Sequence, residues 1–179
     1  MKRGARPITA TYLQNAATLY LERYPTTAEG LRRILQRRVV KARLAEAPVM
    51  ADVDQAIDSV VKKFVAAGAI DDQAFAQTKA RALHRRGASV RLTRRKLKLA
   101  GIDRDTLERA LTGLDQELDS DPDEREWQAA LALARRRRLG PFRPAADRAE
   151  HRTRDLAAMA RAGFDYELAR KVIDLQEIA

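Results

Sequence analysis

The stretch Lys96-Leu97-x-x-Ala100-Gly101-Ile102-Asp103 returns further along the chain as Ala158-Met159-x-x-Ala162-Gly163-Phe164-Asp165. The same shift, from Leu97 to Met159, lays Ala110 and Leu111 on Val172 and Ile173. Run backwards, it lays Arg94-Arg95-Lys96-Leu97 more loosely on Arg32-Arg33-Ile34-Leu35. Self-similarity at one spacing means tandem copies of a supersecondary unit, each burying its apolar face against its neighbours. The recurring residues also say what the unit is made of. A glycine just past an apolar-periodic segment supplies the left-handed residue that ends a helix. An aspartate two residues later accepts the free amide hydrogens that open the next helix. Gly101-Ile102-Asp103 and Gly163-Phe164-Asp165 are therefore expected as tight corners between helices, with Ile102 and Phe164 buried in the bends.

Apolar residues at helical spacing fill in the rest. Val53, Ile57, Val60, Val61, Phe64 and Val65 make one face, and Leu107, Ala110, Leu111, Leu114 and Leu118 make another. Thr26-x-x-Glu29 has the form of a capping box ahead of Leu31, Ile34 and Leu35. Gly68 is placed to stop one helix, and Asp71 or Asp72 to start the next. The chain reads as all-α, an elongated tandem array of three three-helix repeats. The repeats occupy residues 10–67, 71–118 and 122–176, after a flexible basic N-terminal segment over 1–9. Residues 45–52 lengthen a turn inside the first repeat. Residues 115–126, with seven acids against the single Arg125, are expected to form an acidic linker on which the repeats hinge. Gly140, Pro141 and Pro144 must break the third repeat.

The residue inventory closes off most chemistry. Cysteine is absent, which excludes disulfides and thiolate metal sites. His84 and His151 have no second ligand at metal spacing, and no phosphate loop, nucleophile elbow or HExxH occurs. No enzymatic activity, cofactor or metal is expected. Asp71-Asp72 reads as a helix cap rather than a metal pair. Trp127, Tyr12, Tyr20 and Tyr24 read as packing groups. No apolar run approaches the roughly 20 residues of a membrane span, and the N-terminus lacks the apolar core of a signal peptide. A cytosolic protein that does not engage membranes is expected.

Charge is what the scaffold leaves unexplained. Lys and Arg exceed Asp and Glu by 35 − 25, a net +10. From Lys79 to Lys98 the chain carries nine Lys/Arg and no acid. Within that segment Arg91, Arg94, Arg95 and Lys98 fall at i, i+3, i+4 and i+7, one stripe on a helix, and Arg85 and Arg86 extend it. A charge run taken alone is usually a solvated face, but a scaffold requirement would recur in every copy. The corresponding positions are Glu29, Arg32, Arg33 and Gln36 in the first repeat, and Thr153, Leu156, Ala157 and Ala160 in the third. The stripe is thus read as a surface for a polyanion, nucleic acid first. With no Asn or Gln to read base edges, it suits phosphates. Arg32 and Arg33, with Arg135, Arg136, Arg137 and Arg138, form a secondary basic patch. A stand-alone DNA-binding protein, docking helix 89–99 on duplex DNA in helix–turn–helix manner, stays open on these grounds.

Three segments taken in order resemble a known family. Gly68-Ala69-Ile70-Asp71-Asp72-Gln73-Ala74-Phe75-Ala76 is similar to a signature of the RecX regulatory proteins. So are Arg86-Gly87-Ala88-Ser89 followed by Arg94-x-x-Leu97-x-x-x-Gly101-Ile102, and Arg161-Ala162-Gly163-Phe164-x-x-x-Leu168-Ala169-x-x-Val172-Ile173. The resemblance spans roughly residues 12 to 176. Ala69 departs from it, standing where the family more often has a larger apolar residue. The resemblance implies tandem three-helix repeats and a non-enzymatic modulator of the RecA recombinase acting in DNA repair and the SOS response. Such a protein binds in the groove of the RecA–single-stranded-DNA filament and inhibits filament extension, ATP hydrolysis and strand exchange. The implied partners are RecA and single-stranded DNA, with duplex DNA second, and a monomer is expected.

Overall fold

A computed structural model of the chain describes residues 6–176. Among them are nine α-helices: α1 (Ala10–Leu21), α2 (Ala28–Leu44), α3 (Val53–Ala66), α4 (Asp72–Arg85), α5 (Val90–Leu99), α6 (Arg104–Leu118), α7 (Pro122–Arg137), α8 (Arg148–Arg161) and α9 (Tyr166–Ile173). Two 3-10 turns, Gly140–Phe142 and Ala145–Asp147, occupy the segment that two prolines forbid to a helix. The chain is an all-α repeat array, and it divides into two compact units. One runs to Phe75 and takes in Ala100–Ile102, while the other holds Ala76–Leu99 and the residues from Asp103 on.

In the first unit, α1, α2 and α3 pack on one another around Leu13, Leu31, Leu35, Val53 and Ile57. Residues 1–5 of the expected flexible segment 1–9 lie outside the described residues. Ile8 of that segment is only 2 % exposed. Its amide donates to the Pro48 carbonyl at 2.9 Å and its carbonyl accepts from Met50 at 3.2 Å. An apolar side chain that can be buried, beside a loop with free backbone groups, is enough to pin it. In the second unit, α7, α8 and α9 enclose Leu133, Met159, Phe164 and Val172, and α5 packs against α6.

The corners follow the local chemistry. Gly101 and Gly163 take φ of 87° and 95°. Asp103 accepts from the Thr106 amide at 2.9 Å, and Asp165 from that of Leu168 at 2.8 Å. Ile102 and Phe164 are buried. The start of α2 differs from its expected form. Thr27, not Thr26, is the cap and accepts from the Gly30 amide at 2.9 Å. Glu29 then lies one position too early to reach back, and its carboxylate pairs with Arg32 and Arg33 instead. Asp71 caps α4 through the Ala74 amide at 2.8 Å. Asp72 serves the neighbouring helix, accepting from the Ala28 amide of α2 at 2.9 Å.

The repeat is also written in tertiary contacts. Thr27 Oγ1 donates to the Ala100 carbonyl inside the first unit, while Ser89 Oγ donates to the Ala162 carbonyl at 2.7 Å inside the second. Donors and acceptors alike are related by the shift that carries Leu97 to Met159. Each hydroxyl also caps its own helix, Thr27 through Gly30 and Ser89 through Leu92 at 3.1 Å. The glycine that follows each carbonyl lies so close that a side chain there would collide, Gly101 with Glu29 and Gly163 with Ser89. One hydroxyl therefore satisfies a helix start and a helix end together. Ser89→Ala is expected to destabilise the second unit by roughly 1–3 kcal/mol, because a cap is lost and the partly buried Ala162 carbonyl loses its donor. Urea unfolding checks this, and a change within a few tenths of a kcal/mol would contradict it.

Most of the acidic segment 115–126, expected as a hinging linker, is helical. α6 continues to Leu118 and α7 begins at Pro122, leaving three residues between them. Asp119 turns the chain with a left-handed φ of 47°, and Asp121 caps α7. Arg125, 5 % exposed, reaches back to Asp115 and to the Leu111 carbonyl. A buried guanidinium costs several kcal/mol unless its partner stays in place, so this pair clamps α6 to α7.

A buried carboxylate ties down the break in the third repeat. Asp155 accepts from Arg143 at 2.7 and 2.8 Å and from the Gly140 amide at 2.8 Å. Burial alone would raise its pKa, but these donors outweigh it and hold the carboxyl below its ordinary value. A depressed carboxyl contributes stability above its unfolded pKa, near 4, and loses it as pH falls through the lower folded value. Asp155→Asn is thus expected to lower the melting temperature at pH 7 and to flatten its decline below pH 4. An unchanged acid limb would contradict the assignment.

Candidate nucleic-acid interface

Helix α5 is short, and the partners of its two sides differ. Thr93 and Leu97 are buried, with Val90 partly so. Leu99 is 67 % exposed, because two residues advance a helix by about 200° and carry it away from Leu97. Two of its first three N-terminal amides are already taken. Val90 donates to Glu126 at 2.8 Å and Leu92 to Ser89. Burial pushes the Glu126 carboxyl up, against the pull of the Val90 amide. An anion arriving here would meet side chains rather than a free helix start.

Those side chains line two adjoining grooves of the second unit. The larger, about 450 Å³, has an apolar floor that includes Leu83, Leu92 and Leu133, and it is edged by Arg86, Lys96, Arg136, Arg137 and Arg161. The smaller, about 270 Å³, is lined by Arg91, Arg95 and again Arg161, and it shares Leu92 and Ala162 with the first. No carboxylate lines either groove. None of these seven cations has an ion-pair partner among the described residues. Arg136, Arg137 and Arg161 stand in the last turns of α7 and α8, and Arg86 follows α4. A helix C-terminus favours a cation, which accounts for each of these four singly. It does not account for the ends of three helices meeting around one groove, nor for Arg91, Arg95 and Lys96 on α5. Clustered like charges in a concave surface focus a positive potential that a polyanion relieves.

The two expected basic patches are redistributed. Arg86, Arg91 and Arg95 of the stripe come together with Arg136 and Arg137 of the secondary patch. Arg85 and Lys98 are exposed but line neither groove. Arg94 is answered by an acid invisible within its own segment, Glu108 of α6, at 2.7 Å. Arg135 sits over the Phe142 ring, 5.5 Å from its centre, and Arg138 ends α7 with φ 54°. Arg32 and Arg33 belong to the first unit, where Glu29 and Asp58 engage them. The hydrogen bonds Arg32 donates to Asp58 and then to Glu29 raise its pKa, and the bond it donates to Glu29 lowers that of Glu29. Lys96 and Arg161 were not among the sequence candidates. Lys96 shows up only one turn beyond Leu92 on the groove side, and Arg161 only once the Ala162 corner is known to seat on Ser89.

Comparison with known proteins agrees with this architecture. Residues 71–111 match the family described as RecX, second three-helix domain. The chain is 38 % identical over 170 residues to the Regulatory protein RecX of Myxococcus xanthus, covering 94 % of this chain and 88 % of that one. It is 33 % identical over 105 residues to the Regulatory protein RecX of Agrobacterium fabrum, covering 59 % and 52 %. Two crystal structures share the fold. RecX from Lactobacillus salivarius gives a TM-score of 0.62 at 18 % identity, covering 93 % of this chain and 96 % of that one. Another regulatory protein RecX gives 0.60 at 19 %, covering 93 % and 72 %.

Proposed function

This chain belongs to the RecX family of regulatory proteins, and from that premise we propose that it binds the RecA–single-stranded-DNA filament and lowers RecA activity without chemistry of its own. The observation that carries the reading is the pair of grooves in the second unit, where seven cations meet with no carboxylate among the lining residues. A sugar–phosphate backbone is the ligand such a surface suits, because phosphate contact needs point charges and forks but no base-reading amides. The grooves lack aromatic side chains, so base stacking adds nothing and binding is expected to be indifferent to base composition. Occupying the backbone of a filament strand would hinder RecA subunits from joining or cycling, which slows filament extension and ATP hydrolysis together.

The test is ATP hydrolysis by the cognate RecA on single-stranded DNA, with this protein added below the RecA concentration. Slowed hydrolysis supports the reading. Unchanged hydrolysis, together with tight binding to bare DNA, would move the chain to a stand-alone nucleic-acid-binding role.

A further inference from the structure

The first repeat carries something that the other two lack. α5 ends at Leu99 and α8 at Arg161, equivalent positions of the repeat, each followed by its glycine corner. The register that lays Leu97 on Leu35 puts Leu99 on Arg37, yet α2 continues seven residues past Arg37, to Leu44. The repeat does not require this extension. Its inner side, Val39 and Ala42, is buried in the first unit. Its outer side presents Val40, 54 % exposed, and Leu44, 83 % exposed. These two lie one turn apart on one stripe, flanked by the exposed Arg37, Lys41 and Arg43. None of those three cations has an ion-pair partner among the described residues.

We propose that the outer face of this extension is a protein-docking surface, for a partner patch that is apolar at its centre and edged by carboxylates. On the functional reading above, on which this rests, the RecA subunits of the filament carry that patch. The grooves of the second unit would take the nucleic acid. Two large aliphatics held in water one turn apart gain nothing from phosphates but are repaid by an apolar protein pocket. Arg37, Lys41 and Arg43 then set the sign of its rim and speed the encounter. A membrane surface fits less well. An interfacial helix sinks a whole apolar face with aromatic anchors, whereas the main apolar face of α2, with Leu31, Leu35 and Val39, is already in the core.

The experiment compares the full chain with the Val40→Glu/Leu44→Glu variant. Both are titrated against RecA-coated and bare single-stranded oligonucleotides and against vesicles rich in anionic lipid. Both positions are exposed, so folding should persist, and circular dichroism verifies it. The expected result is Kd for the filament raised about tenfold or more, with bare-DNA binding unchanged. Unchanged filament affinity would overturn the proposal. So would an equal loss on bare DNA, which would make this a nucleic-acid face, or vesicle binding lost in the variant. If the native chain itself ignores RecA filaments, the functional reading fails first and this inference fails with it, an outcome distinct from a variant that binds like the native chain.

Discussion

Replacing Arg86, Lys96, Arg136 and Arg161 together by alanine is expected to weaken binding to single-stranded DNA by roughly 10²- to 10³-fold at low salt, and to flatten its salt dependence. A cation that neutralises a phosphate releases a condensed counterion, and on single strands each such contact adds about 0.7 to the slope of log K against log salt. Four lost contacts should therefore reduce the slope by roughly 3. The control is Arg94→Ala/Lys98→Ala, which removes two charges from α5 outside the grooves. Arg94 already has Glu108, and Lys98 lines neither groove, so its effect should be several-fold smaller. Equal losses would mean that the diffuse charge of α5, and not the groove, governs the contact. Fluorescence anisotropy between about 50 and 200 mM salt separates the two.

Gly87→Ala is expected to be among the most damaging single changes in the second unit. Gly87 takes φ 69°, and a Cβ there would stand 2.7 Å from the Ala129 carbonyl oxygen and 2.7 Å from Leu133 Cα. Both are backbone atoms of α7, which cannot turn aside as a flexible side chain can. The left-handed conformation costs an alanine roughly 1–2 kcal/mol, and forcing backbones apart in a packed site adds about 1–3 kcal/mol. A loss of about 3 kcal/mol would lower the melting temperature by roughly 6–12 °C for a chain of this size. Gly68 supplies the internal control, with φ 70° and nothing within 4 Å of an added Cβ. Gly68→Ala should cost only the conformational part, about 1–2 kcal/mol. Equal melting temperatures for the two variants would refute the close approach to α7. Because Gly87 also lines the larger groove, any protein that still folds should show weakened DNA binding as well.

The contrast between those two glycines also marks what can be read in a sequence. Gly101 with Asp103, and Gly163 with Asp165, were legible because a helix end and the next helix start are local events, settled by neighbouring residues. The cap of α2 was misplaced by one residue, since Thr26 and Thr27 offer the same hydroxyl and only the backbone of the chosen one decides. What a side chain meets across the fold was not legible. Glu108 lies 14 residues from Arg94, and Glu126 lies 36 residues from Val90. Nothing in the Lys79–Lys98 segment announces either acid. The acidic run 115–126 likewise gives no sign that its one arginine, Arg125, is buried and paired with Asp115. One long-range signal did lie in plain view. Thr27 and Ser89 repeat in the same register as the corners they bind, and hydroxyls at matched register would have suggested the contact.

On this reading, the grooves of the second unit carry the action on RecA. The most direct measurement is the steady-state rate of ATP hydrolysis by the cognate RecA on single-stranded DNA, titrated with the native chain and with the Arg86, Lys96, Arg136 and Arg161 quadruple alanine variant. Strong slowing is expected from the native chain at amounts below RecA, with the dose–response shifted at least about 100-fold for the folded variant. Equal slowing by both would leave a regulator of RecA whose action does not run through the grooves, and would contradict the site assigned here.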